Sequence, residues 1–150
     1  MRINFENQIA APVATVWTFV DDDTKIPLWI TGSVDISYPD GQDRAKLVGT
    51  RFRQTLKEGG REKTYDGRIT AYEPERLLGV RLSDGSFGVD LTYKLSPSSQ
   101  GTRLDYTADI SLQSFFTKLL GFLFKSLTVS IMQRHTANLK RVAEQEAANV

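Results

Sequence analysis

Three tight-turn signals, Gly59-Gly60, Pro74-Glu75 and Asp84-Gly85, divide residues 50–95 into strand-length segments. Nothing else in the chain constrains its fold as strongly. Short hairpins fix strand register, and a slip of one residue turns every side chain to the other face. A two-residue turn at Asp84-Gly85 sets Leu82 opposite Phe87, Val80 opposite Val89 and Leu78 opposite Leu91. A turn at Pro74-Glu75 sets Ala71 opposite Leu78, Ile69 opposite Val80 and Gly67 opposite Leu82. A turn at Gly59-Gly60 sets Phe52 opposite Gly67, Thr50 opposite Ile69 and Gln54 opposite Tyr65. The three turns are independent, yet they put the apolar residues on one face, which predicts an antiparallel meander. Leu104, Tyr106, Ala108, Ile110 and Leu112 continue that face in a last strand. The other face is charged and reads as solvated. It places Arg51, Arg68 and Arg81 side by side, with Asp66 and Asp90 as diagonal neighbours to offset them.

Before the meander, a strand over about Ile3 to Ala10 leads to Pro12, which suits a first helical turn. Val13, Val16, Trp17 and Val20 follow at helical spacing, so Trp17 anchors this helix on the sheet. Asp21, Asp22 and Asp23 disfavour a helix C-terminus but suit the start of another helix. Asp23 or Thr24 is the expected cap of a short second helix that holds Pro27 and ends near Trp29. A long final helix is expected from about Phe115 to about Ala147, with Ser114 as its N-cap. Its apolar stripe is Phe116, Leu119, Leu120, Leu123, Leu127 and Ile131, widened by Phe115, Phe122 and Val129. Two readings of that wide stripe stay open: complete burial, or partial exposure as a homodimer contact or a touch on a membrane surface.

Composition removes several function classes. The 150 residues suit one domain, 1–150, and the net charge of +1 gives no reason to expect a nucleic-acid partner. The chain has no cysteine and a single histidine, His135, so thiolate and histidine-rich metal sites are excluded within one chain. His135 falls at the polar end of the long helix, where a surface or boundary position is expected. No cofactor is expected, and no phosphate-cradling glycine motif is present. The N-terminal segment lacks the apolar core of a secretory signal, and the LLGFLF segment is too short to span a bilayer. Neither secretion nor stable membrane insertion is therefore expected, and a cytoplasmic location is the default.

The ordered set of segments resembles the START-like (SRPBCC) superfamily, and within it the polyketide cyclase/dehydrase-like group. The matching residues are Ile9-Ala10-Ala11-Pro12, Val16-Trp17, Asp21 to Asp23 and Pro27 to Trp29, then Val48-Gly49-Thr50, Ile69, Tyr72, Glu73, Pro74 and Leu77-Leu78. They continue in Tyr93-Lys94-Leu95, Gly101 to Leu104, and Leu139-Lys140 with Glu144. The resemblance implies an α+β helix-grip fold. In it a curved antiparallel sheet of about seven strands wraps a long C-terminal helix, with two short helices after strand 1. It also implies a cavity between sheet and helix for a hydrophobic small molecule or lipid.

The sheet register then names the wall. Its polar members are Thr50, Gln54, Tyr65, Tyr93 and Tyr106. Its apolar members include Phe52, Ile69, Val80, Leu82, Phe87, Val89, Leu91 and Leu104, and Phe116, Leu120 and Leu123 face them from the helix. The resemblance implies that Trp29, near the end of the second short helix, closes one side. No carboxylate, lysine or arginine is expected inside, so no general acid–base pair is in view. The leading reading is binding or transport of an apolar ligand. Two alternatives remain: a polyketide cyclase/dehydratase-type enzyme, and a protein-interaction module like the chaperone activators of this fold.

Overall fold

In the computed structural model, residues 1–112 and 121–149 are described, apart from the side chains of Phe122 and Phe124. Strand β1 (Arg2–Ile9) leads into helix α1 (Val13–Asp21) and a short 3-10 helix (Asp23–Leu28). Six strands follow: β2 (Ser33–Ser37), β3 (Arg51–Glu58), β4 (Arg61–Glu73), β5 (Leu77–Ser83), β6 (Phe87–Ser98) and β7 (Gly101–Leu112). Helix α2 (Gly121–Ala148) closes the chain. The strands form one antiparallel sheet in the order β1-β7-β6-β5-β4-β3-β2. Strands β2 to β7 are thus the expected meander, and β1 pairs with β7 to lengthen it.

The registers at the Gly59-Gly60 turn agree with the sequence: Phe52 faces Gly67 and Gln54 faces Tyr65. At Asp84-Gly85 the structure differs by two residues, setting Leu82 opposite Val89 and Val80 opposite Leu91. The cause is the Asp84 carboxylate. Its Oδ1 accepts the backbone N–H groups of Ser86 (2.9 Å) and Phe87 (3.1 Å), which builds a longer turn. A shift of two preserves the face of every side chain, so the inward set survives. The shift also moves Asp90 directly opposite Arg81, where the two form an ion pair at 2.6 Å.

At Pro74-Glu75 the pairs Gly67–Leu82 and Ile69–Val80 are as expected, and only the pair nearest the turn differs. A bulge between Ile69 and Ala71 sets Tyr72, not Ala71, opposite Leu78. An extra residue in one strand re-aims the side chains beyond it. Tyr72 therefore reaches the inner side, its ring 5.6 Å from that of Trp17.

The core lies between the inner sheet face and the two α-helices. Trp17 and Phe19 from α1, Leu95, Leu104 and Tyr106 from the sheet, and Met132, Leu139 and Ala143 from α2 are all buried there. The N-terminal part of the predicted final helix, with Ser114, Phe115, Phe116, Leu119 and Leu120, lies outside the described residues. Of the stripe that is described, Leu123 and Leu127 are 64% and 60% exposed, so this side of α2 is not covered by the sheet. Among the described residues, no helix is long and apolar enough to cross a membrane.

Candidate functional site

Between the sheet and α2 lies a cavity of about 670 Å³. Phe52, Val80, Val89 and Leu91 line it from the sheet, together with Gln54, Tyr65, Tyr93 and Tyr106. Trp29 lines it from the end of the 3-10 helix. The sheet residues come together because strand alternation sends them all to the concave face. Leu123 does not join them: its position on α2 turns it to solvent, while Leu127 and Ile131, one and two turns on, border the opening. Thr50 and Leu104 also stay out of the wall. Leu104 is only 1% exposed and is packed within the core.

Trp29 is held on three sides. Its indole N–H donates to the Phe19 carbonyl at 2.8 Å, and its own carbonyl accepts from Asn138 Nδ2 at 3.3 Å. Its ring meets Tyr93 edge-on, with centroids 5.7 Å apart. Tyr93 in turn stacks on Tyr106 at 4.5 Å, and the Tyr93 hydroxyl donates to that of Tyr106 at 3.3 Å. Burial pushes the Tyr106 hydroxyl up to about 12 and the Tyr93 hydroxyl well above its ordinary value, so both stay protonated.

Charged groups also line the cavity, contrary to the expectation of a wall without them. Glu58 and Lys63 extend the inward rows of β3 and β4 past Gln54 and Tyr65 toward the hairpin tip. The Tyr65 hydroxyl donates to Glu58 at 2.9 Å. Lys63 donates to Asp84 at 2.6 Å and sits 5.1 Å above the Tyr65 ring. Burial raises the Asp84 carboxyl, but the Lys63, Ser86 and Phe87 donors outweigh it and hold it well below the carboxylate range. The signal for Glu58 and Lys63 is present in the sequence, because the same alternation places them on the inner face.

The three consecutive aspartates divide their work. Asp22, rather than Asp23 or Thr24, caps the 3-10 helix by accepting the Thr24 N–H at 3.0 Å. Asp21 accepts from Arg44 at 2.8 Å and from the Tyr72 hydroxyl at 2.9 Å. Asp23 accepts from the Tyr38 hydroxyl at 2.6 Å. Burial raises the Asp23 carboxyl and, with this hydrogen bond, the Tyr38 hydroxyl. Asp21 and Asp23 both line the cavity, which pure helix punctuation does not foresee. Among the described residues, no three His, Asp or Glu side chains gather as a metal site.

The family described as "Polyketide cyclase / dehydrase and lipid transport" matches residues 2–144. The chain belongs to this family. Among curated proteins no sequence relative matches. Solved structures carry the same fold at low identity. TTHA0849 from Thermus thermophilus has a TM-score of 0.77 at 17% identity, covering 98% of this chain and 99% of that one. The di-domain ARO/CYC StfQ of the steffimycin biosynthetic pathway has a TM-score of 0.80 at 14% identity, covering 98% of this chain and 52% of its own. Ara h 8.0201 has a TM-score of 0.70 at 17% identity, covering 95% and 97%. The helix-grip architecture expected of the family is thus the one observed.

Within this polyketide cyclase and lipid-transport fold, His135, expected at the surface or a boundary, is half-buried and lines the cavity from α2. Burial, aided by the nearby Arg134, lowers its imidazole from the ordinary 6.5 to about 4. An unfolded chain takes up this proton below about pH 6.5, whereas the folded one refuses it until about pH 4. The contribution of His135 to stability is therefore intact above about pH 6.5 and is lost as pH falls toward about pH 4. By about pH 5 the wild type should have lost about 2 kcal/mol more than His135→Asn. Urea unfolding at a series of pH values checks this, and parallel pH curves for the two proteins would refute it.

Proposed function

We propose that this protein binds and carries an apolar small molecule or lipid in the cavity between its sheet and α2. The observation that carries this reading is the cavity of about 670 Å³ walled mainly by aliphatic and aromatic side chains. That volume falls in the range of pockets that hold small molecules, and such a lining is typical of them. Affinity comes from burial of apolar ligand surface against Phe52, Val80, Val89 and Leu91, at about 25 cal/mol per Å². Trp29 forms a fixed wall, and Gln54, Tyr65, Tyr93 and Tyr106 supply the polar points that orient the guest. On the sequence reading, Phe116 and Leu120 complete the helix side.

Native mass spectrometry of protein purified from its own host, followed by solvent extraction, tests the proposal. A copurifying apolar compound in stoichiometric amount is expected; a clean apo mass that also takes up no lipid or other apolar compound would count against it. Tyr106→Trp adds bulk to the wall. It should reduce the amount of bound compound while costing about 1–3 kcal/mol of stability.

A second reading is a cyclase or dehydratase-type enzyme, and one observation favours it. The half-buried Asp23 carboxyl, raised by burial and bonded to Tyr38, is a titratable pair within the cavity wall. Such a pair suits proton transfer to or from a bound carbonyl compound. Turnover of a poly-β-ketone substrate that is abolished in Asp23→Asn supports this reading, and full turnover in that variant removes it.

A further inference from the structure

Most polar groups in the cavity wall are already engaged. Asp21 is held by Arg44 and Tyr72, Asp23 by Tyr38, and Glu58 by Tyr65. Lys63 is spent on Asp84. Among the buried and half-buried lining groups described, three are left wholly or partly unsatisfied. Gln54 is 7% exposed, lines the cavity, and its side-chain amide makes no hydrogen bond there. His135 lines the cavity from the facing helix, and its imidazole makes none either. Tyr93 and Tyr106 share one hydrogen bond between two hydroxyls, so one O–H proton of the pair lacks an acceptor.

A polar group sealed from water without a partner costs about 1–3 kcal/mol, so an amide set in this wall takes its partner from whatever fills the chamber. Chains rarely keep such groups inside unless something satisfies them. All three groups are uncharged at neutral pH: an amide, a phenol, and an imidazole that burial keeps neutral down to about pH 4. Each offers an N–H or O–H donor. By contrast the charged lining groups named above are paired, and Lys57 and Arg134 are exposed to water at the rim. A carboxylate drawn in past that rim would meet the Asp23 and Glu58 carboxyl groups and only cations already paired, Arg44 and Lys63, so desolvating it would cost more than the wall returns.

From this we infer that the cavity selects apolar ligands carrying an uncharged acceptor oxygen, a ketone or ester carbonyl, which Gln54 meets from the sheet and His135 from α2. The inference rests on the cavity-binding reading above and narrows it to a ligand class. It excludes the free carboxylate of a fatty acid as the preferred buried group.

Displacement of the neutral fluorophore N-phenyl-1-naphthylamine tests it, with 2-dodecanone and dodecanoate as competitors of equal chain length at pH 8. The ketone should compete about 10-fold better than the carboxylate. Gln54→Met and His135→Leu, made singly, should each weaken the ketone by about 3–10-fold, the usual worth of one hydrogen bond. The fluorophore is titrated into each variant first, and the ketone's affinity is compared with wild type after correction for any change in fluorophore affinity. If Gln54→Met fails to fold, His135→Leu on the opposite wall carries the test. A carboxylate that competes better than the ketone overturns the inference, as does ketone affinity unchanged in the folded variants, while the cavity-binding reading stands. Failure of the fluorophore and both competitors to bind wild-type protein refutes the cavity-binding reading itself, and this inference with it.

Discussion

Trp29→Ala should lower the free energy of unfolding by about 3–5 kcal/mol, the range for truncating a large buried aromatic side chain. Trp29 is 2% exposed and sits where the 3-10 helix, α1, α2 and the sheet converge. Three losses combine in the variant. The indole's packing disappears, the Phe19 carbonyl loses its donor at 2.8 Å, and Tyr93 loses its edge-on neighbour. Because Trp29 also walls the cavity, the same change enlarges the chamber. Trp29→Phe separates these effects, since it keeps a ring and gives up the N–H; it should cost less, on the order of 1–3 kcal/mol. Urea denaturation of both variants supplies the comparison. A Trp29→Ala protein as stable as wild type would show that the residue covers an opening without supporting the fold.

A comparable loss, about 2–4 kcal/mol, is expected for Gly101→Ala. Gly101 opens β7 at φ 135°, a conformation that suits glycine alone. A Cβ there would lie 2.7 Å from the Ala11 carbonyl oxygen and 2.8 Å from both the Ala11 nitrogen and the Ile9 oxygen. All three are backbone atoms, so no side-chain rotation relieves the clash. Nor can the neighbouring segment withdraw easily. Ile9 pairs with Thr102 across the β1–β7 ladder, and the Thr102 hydroxyl donates to the Ala11 carbonyl at 2.7 Å. Gly59→Ala is the control, because its φ is also positive but nothing lies within 4 Å of the added carbon. It should cost only about 1 kcal/mol. Equal losses at the two positions, read by urea denaturation, would mean that backbone conformation alone, not the close approach, governs Gly101.

How much of the molecule is legible in its sequence depends on the scale of the question. Period-two alternation and three turn signals are enough to assign inward faces to β3 through β7. The turn at Asp84 differs from its sequence expectation by two residues, yet every face remains correct, because the side-chain period is two. The bulge near Thr70 is invisible, since nothing in the local residues announces an extra unpaired position. Its effect falls on Tyr72, which becomes a partner of Trp17 and Asp21 instead of a turn-side residue. Glu58 and Lys63 are readable from alternation but lie beyond the apolar run that defines the wall. Tyr38 and Arg44 are not readable, because both belong to the loop between β2 and β3 and carry no periodicity.

The aspartates show where the boundary lies. From sequence alone, Asp21, Asp22 and Asp23 mark the end of one helix and the start of another, and that junction is where the structure has it. That two of the three turn into the cavity wall depends on partners 51 and 15 residues away, Tyr72 and Tyr38. Local spacing sets the strand faces up to the bulge, and the ordered set of segments carries the resemblance that implied the helix-grip fold and the family. Which inward polar groups find partners, and which, like Gln54 and His135, are left facing the chamber, follows from the packing of sheet and helix in three dimensions. Hydrogen-bond satisfaction is a property of what surrounds a group, and spacing along the chain does not encode it.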